Sequence, residues 1–114
     1  MKNNIWIICV ATSMVLALAA LPTVEKSIAA GAPTADVKID NFSFTPATLT
    51  VKAGTQITWT NADDIPHTVV SDDHSFRSKV LDTDEKFTFT ASNPGTYSYF
   101  CSIHPKMTGK VVVE

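Results

Sequence analysis

Two cysteines in 114 residues cannot frame a disulfide-dense scaffold, and 9 lysines and arginines against 11 aspartates and glutamates leave no cationic surplus. No Lys/Arg-rich run occurs, which excludes a nucleic-acid face built on phosphate contacts. Repeats and low-complexity stretches are absent, and beyond residue 30 no window carries a helical apolar stripe. The length allows one domain and little else.

Apolar residues are unevenly distributed: 20 fall in the first 30 positions and 31 in the other 84. Ile5 to Leu21 carries no charge, follows Lys2 and stops at Pro22, and the small residues around Ser27-Ile28-Ala29-Ala30-Gly31 come next. That order reads as a secretory signal peptide over residues 1–30, cleaved after Ala29 or Ala30. An uncleaved anchor is the alternative, and only then would the protein be held at a membrane. Cleavage removes Cys9, so the exported, periplasmic chain keeps one thiol, Cys101. A leftover cysteine in an oxidising compartment is buried, paired between chains or bound to something.

Residues 31–35 read as a flexible leader. From Asp36 to Glu114 the pattern has period two and is rich in β-branched and aromatic residues, as in half-buried strands. Val37 and Ile39 alternate with charges; Leu49 and Val51, Ile57 and Trp59, and Phe87 and Phe89 alternate with polar residues, mostly threonines. Tyr97, Tyr99 and Cys101 share one parity, and Val111 and Val113 another. Turn residues separate the runs at Thr45-Pro46, Ala53-Gly54, Asn61 to Asp64, Asn93-Pro94-Gly95 and Thr108-Gly109. About 6–8 short strands at this spacing predict an all-β sandwich or barrel. The stretch from Ser71 to Asp82 reads as a polar connection. At this size a core leaves stability marginal, and a bound metal would add to it by mass action.

The chemistry is concentrated near the C-terminus. Cys101-Ser102-Ile103-His104-Pro105-Lys106-Met107 is a C-x2-H-x2-M cluster, whose chance occurrence in a chain of this composition is on the order of 10⁻³. It lies where one strand opens into a tight loop before the next, so side chains three residues apart can converge. His67, after Pro66 at a strand start, offers a fourth donor. Two imidazoles, a thiolate and a thioether suit copper in both oxidation states, whereas zinc sites have no use for methionine. His74 beside Asp72 and Asp73 is better read as part of a solvated loop than as a second metal site. Trp59, Phe87, Phe89, Tyr97 and Tyr99 read as core, and the scattered acidic residues as ordinary surface charge.

The segments Thr55-Gln56-Ile57-Thr58-Trp59-Thr60-Asn61, Pro66-His67, Gly95-Thr96-Tyr97-Ser98-Tyr99-Phe100-Cys101, His104-Pro105, Met107 and Gly109 to Glu114 resemble the cupredoxins. Within that family they are most similar to the amicyanin and plastocyanin–pseudoazurin group, and the His104-x2-Met107 spacing is that of amicyanin. The resemblance covers residues 36–114 and implies a Greek-key β-sandwich. It implies one Cu(I)/Cu(II) per chain, with His67, Cys101 and His104 as equatorial ligands and Met107 as the axial one. It further implies a monomeric one-electron carrier, not an enzyme, with a dehydrogenase donor and a c-type cytochrome acceptor. Thr68 departs from the pattern, since amicyanins carry asparagine there to tie the two ligand loops together. Ile65, Pro66, Ile103, Pro105 and Met107 would surround the edge of His104 as an apolar docking patch.

Three other roles stand beside the electron carrier. A periplasmic copper-handling protein would use the same donors without shuttling electrons. A copper oxidase or reductase needs an open coordination position and usually more copper centres than one cysteine and two histidines supply. An immunoglobulin-like module, hinted at by Tyr97-x-Tyr99-x-Cys101, lacks its second cysteine after export.

Overall fold

A computed structural model describes residues 31–114, so the signal-peptide or anchor segment over residues 1–30, with Cys9, lies outside the described residues. Eight strands follow in chain order: β1 (Thr34–Asp40), β2 (Ser43–Thr45), β3 (Thr48–Val51), β4 (Thr55–Asn61), β5 (Val70–Ser71), β6 (Lys86–Ala91), β7 (Gly95–Phe100) and β8 (Thr108–Val113). They form two four-stranded sheets, in the orders β2-β1-β4-β6 and β3-β8-β7-β5. β1 runs parallel to β4 and β3 parallel to β8; the other pairs are antiparallel. This is the Greek-key β-sandwich implied by the resemblance, with no helix among the described residues.

The period-two residues meet between the sheets. Val37, Ile39, Ile57, Trp59, Tyr99, Cys101, Val111 and Val113 are all buried, while Phe87, Phe89 and Tyr97 are half-buried against them. Threonines on the other parity of β4 and β6 face outward, and Thr58 lies opposite Thr88. The strand pattern was legible because each sheet has one dry face and one wet face.

Three features depart from expectation. Thr34 and Ala35 belong to β1, not to a leader, because the parallel pairing extends to Thr34↔Gln56 and Ala35↔Ile57, and the Gln56 N–H donates to the Pro33 carbonyl. Backbone pairing holds these small residues where no side-chain pattern marks them. The connection from Ser71 to Asp82 is polar at its surface but buries Phe76, whose ring lies 4.7 Å from Phe89 and 5.4 Å from Trp59. Finally, Asn41 and Phe42 form a two-residue hairpin loop between β1 and β2 with φ of 49° and 56°. Such loops match the strand twist only when both central residues adopt positive φ, which is why glycine is favoured there. A bulky phenylalanine in that conformation costs roughly 1–2 kcal/mol.

Tyr99 dominates the centre of the sandwich. Its ring meets Phe44 at 4.7 Å and Trp59 at 5.6 Å, both edge-on. Its hydroxyl and the Trp59 indole N–H are buried with no partner among the described residues. Burial pushes the Tyr99 phenol up to about 12, against a smaller opposing effect of the Trp59 indole, so it stays neutral. The ring also covers its cross-strand neighbour Gly109, where a Cβ would fall inside the ring's van der Waals envelope. Only glycine leaves room for that ring. Gly109→Ala is therefore expected to destabilise the fold by about 1–3 kcal/mol, read as a lowered urea midpoint at unchanged slope.

Candidate metal centre

The first arm of the site is the segment between β4 and β5. Asn61, fully buried at the end of β4, donates from Nδ2 to the carbonyls of Ile65 and Leu81 and accepts the Asp63 N–H on Oδ1. One amide side chain thus shapes the whole loop. His67 follows, with its backbone paired in both directions to Leu81 at 3.0 and 2.8 Å, and its ring has no exposed surface. Asp63 Oδ2 lies 2.9 Å from His67 Nε2. A carboxylate there accepts a hydrogen bond from Nε2–H, which fixes the proton on Nε2 and leaves the lone pair on Nδ1. The bond to His67 holds the Asp63 carboxyl below the usual carboxylate range, against a smaller desolvation effect.

The second arm is the β7–β8 connection. Cys101 directly follows β7 and is fully buried; its N–H donates to the Met107 carbonyl, while the Met107 N–H donates to the His104 carbonyl. Two backbone bonds fold the seven-residue loop so that Cys101, His104 and Met107 lie at its inner side. Cys101 Sγ is 3.6 Å from His67 Nδ1 and 3.8 Å from His104 Nδ1. The three donor atoms lie within 4.8 Å of one another.

Thr68 joins the two arms. Its N–H donates to Cys101 Sγ at 3.3 Å, and its hydroxyl accepts the Ser102 N–H at 2.7 Å. The Ser102 hydroxyl is also 2.7 Å from Thr68 Oγ1, and Thr68 Oγ1 is 3.8 Å from the sulfur. The hydroxyl thus bridges the ligand loops where amicyanins use asparagine. Burial pushes the Cys101 thiol up, but the Thr68 N–H and then the two imidazoles outweigh it and hold it at about 6. At neutral pH the sulfur is already a thiolate, the form that binds a soft metal.

Of the residues singled out by sequence, His67, Cys101 and His104 converge, and Met107 is tied to two of them through its backbone. Met107 is buried, so it is not part of a surface patch, because a side chain shielded by the fold offers a partner nothing to dock on. Ile65 is half-buried, whereas Pro66, Ile103 and Pro105 are exposed around the half-buried His104. His74, Asp72 and Asp73 lie outside the convergence, all exposed. Sequence reasoning missed Asp63, which it grouped with surface acids, and Phe42. The Phe42 ring stands 5.2 Å from His104 and 6.0 Å from His67. No spacing signal marks either residue, since a four-residue separation such as Asp63 to His67 fixes geometry on a helix and not in a loop.

A buried thiolate and two imidazoles with a thioether beside them fit copper on chemical grounds alone. The cupredoxin-like domain model matches residues 8–113. Amicyanin of Paracoccus versutus is 35% identical over 100 residues, covering 81% of this chain and 76% of the relative. Chloroplastic plastocyanin of Tetradesmus obliquus is 37% identical over 105 residues, covering 77% and 72%. Among solved structures, the purple cupredoxin from Nitrosopumilus maritimus superposes with a TM-score of 0.68 at 33% identity, covering 70% of this chain and 99% of its own. A β-sandwich with a Cys-His-Met loop facing a histidine held by an isolated β-bridge defines a copper-protein class. The chain belongs to the cupredoxin family, and His67, Cys101, His104 and Met107 form a site typical of a single type 1 copper.

Two outcomes test this geometry. In the metal-free protein the ultraviolet thiolate absorption should titrate with a midpoint of about 6, not about 8.5, and Cys101→Ser should remove it. Because the folded value is the depressed one, stability from this group is complete above about 8.5 and falls as the pH drops through about 6. Asp63→Asn removes the charge behind His67 and makes the imidazole a poorer donor to Cu(II) than to Cu(I). Cu(II) affinity should fall about 10–100-fold, and the potential should rise by up to about 59 mV per tenfold loss not matched in Cu(I).

Proposed function

We propose that the protein is an exported mononuclear type 1 copper protein that carries single electrons between redox partners. The observation that carries this reading is the convergence of the His67, Cys101 and His104 donor atoms, within 4.8 Å of one another and fixed by protein hydrogen bonds. Copper supplies the one-electron couple. His67, Cys101, His104 and Met107 would hold it, two imidazoles, a thiolate and a thioether being a donor set that suits both Cu(II) and Cu(I). A donor set held by Asp63, Thr68 and the loop backbone cannot rearrange freely to suit either oxidation state, so little nuclear motion accompanies transfer.

His104 is the half-exposed imidazole of the pair, and Ile65, Pro66, Ile103 and Pro105 frame it as an apolar docking patch. Ile103 is 44% exposed. Such a patch favours brief, small-area encounters, as weak redox complexes use. Similarity to amicyanin supports a dehydrogenase as donor and a c-type cytochrome as acceptor. The residue 1–30 segment supports export to the periplasm with cleavage, and the similarity to amicyanin supports a monomer. A copper-delivery role is disfavoured by burial: Cys101, His67 and Met107 are closed off from any acceptor thiol or thioether.

With Cu(II) the wild-type protein should show the intense visible absorption of a Cu–thiolate bond, which Cys101→Ser abolishes. Stopped-flow mixing of the reduced, colourless protein with oxidised c-type cytochrome should make that band appear as the cytochrome is reduced, with copper retained. A colourless complex, or copper transfer in place of electron transfer, would overturn the reading.

A further inference from the structure

Phe42 is the most exposed large hydrophobic residue among the described residues, at 55%, and it occupies a backbone conformation that favours glycine. Strain held at one point in an otherwise regular hairpin points to a role for the side chain. Two sets of contacts keep it there. The Phe42 N–H donates to Asp63 Oδ2, the same oxygen that faces His67 Nε2, at 3.2 Å. The ring stands perpendicular to both imidazoles, at 89° to each. The His67 and His104 centroids are 5.1 Å apart, and Phe42 completes a triangle with sides of 5.2 and 6.0 Å.

A ring at the apex of that triangle lies over the gap between the two imidazoles. His67 is fully buried although its loop sits at the end of the sandwich, and the Phe42 ring is among the groups covering it. Phe42 is thus exposed to solvent while its ring packs in T-shaped contact with both imidazoles. We propose that Phe42 is a positioning residue of the copper site, whose ring caps the gap between His67 and His104 and keeps small anionic ligands off the metal. The proposal rests on the type 1 copper reading above. It assigns the hairpin strain a purpose: glycine would suit the turn better but would leave the gap open.

The test uses the copper(II)-loaded protein with sodium azide as the probe, read by visible absorption and electron paramagnetic resonance. Wild type and Phe42→Leu should keep their spectra through the titration. Phe42→Ala and Phe42→Gly should give a saturable, azide-dependent change in both spectra, at concentrations at least tenfold below any wild-type response. Thermal melts of the metal-free proteins check the second half of the proposal, with Phe42→Gly expected to melt above wild type because the turn is relieved. Intensely coloured Ala and Gly variants that ignore azide would overturn the cap while leaving the type 1 site standing. A Leu variant as permissive as Ala would overturn it too. A Gly variant that melts below wild type would overturn the assignment of strain. A colourless wild-type copper complex would overturn the cap together with the reading beneath it.

Discussion

Cys101 Sγ is fully buried at the end of β7, and an anionic sulfur there requires donors that its own strand does not supply. The Thr68 N–H, 33 residues earlier in the chain, meets that need at 3.3 Å. Much else in the site follows from this contact. To bring Thr68 to the sulfur, the segment after β4 must turn tightly, and Asn61 shapes that turn from inside. With Thr68 in place, His67 beside it is directed at the same sulfur, and the Thr68 hydroxyl receives the Ser102 N–H on the far side. One compensated charge thus aligns two loops on different parts of the chain.

The network also sets how the centre would respond to electrons and protons. Asp63 links the buried His67 to the backbone of the β1–β2 hairpin, so the first ligand loop and the Phe42 turn share one carboxylate. The side chains around the sulfur are neutral donors or imidazoles, and the one carboxylate stands behind His67, away from it. That separation keeps the thiolate stabilised by dipoles while negative charge strengthens the opposite face of the imidazole. Each ligand loop carries a proline beside its histidine, Pro66 before His67 and Pro105 after His104, where the fixed backbone limits loop motion.

Much of this was legible in the residues. Strands β1, β3, β4, β6, β7 and β8 followed from alternation, because each buries one parity against the opposite sheet. The four candidate ligands stood out through residue type and spacing alone. Strands β2 and β5, with three and two residues, are too short to display a period and exist through pairing with β1 and β7. Phe76 was hidden by polar neighbours, since a single apolar residue in a loop has no pattern to belong to. Asp63 and Phe42 were illegible for a different reason. Their roles depend on which loops meet at one end of the sandwich, and a surface-type aspartate and an exposed phenylalanine announce nothing until that meeting is known.

The division of the donors between two kinds of strand contact has a kinetic side. Cys101, His104 and Met107 lie within the β7–β8 hairpin, whose ladder joins neighbours in sequence. Hairpins close in about 1–10 μs. His67 depends on the frame around β4, which pairs in parallel with β1 and across to β6, and β8 itself docks on distant β3. Non-local pairing in β-sandwiches takes about milliseconds to seconds. Three donors therefore gather on the fast clock of a local loop and the fourth on the slow clock of the whole topology, so the complete ligand set marks a finished fold.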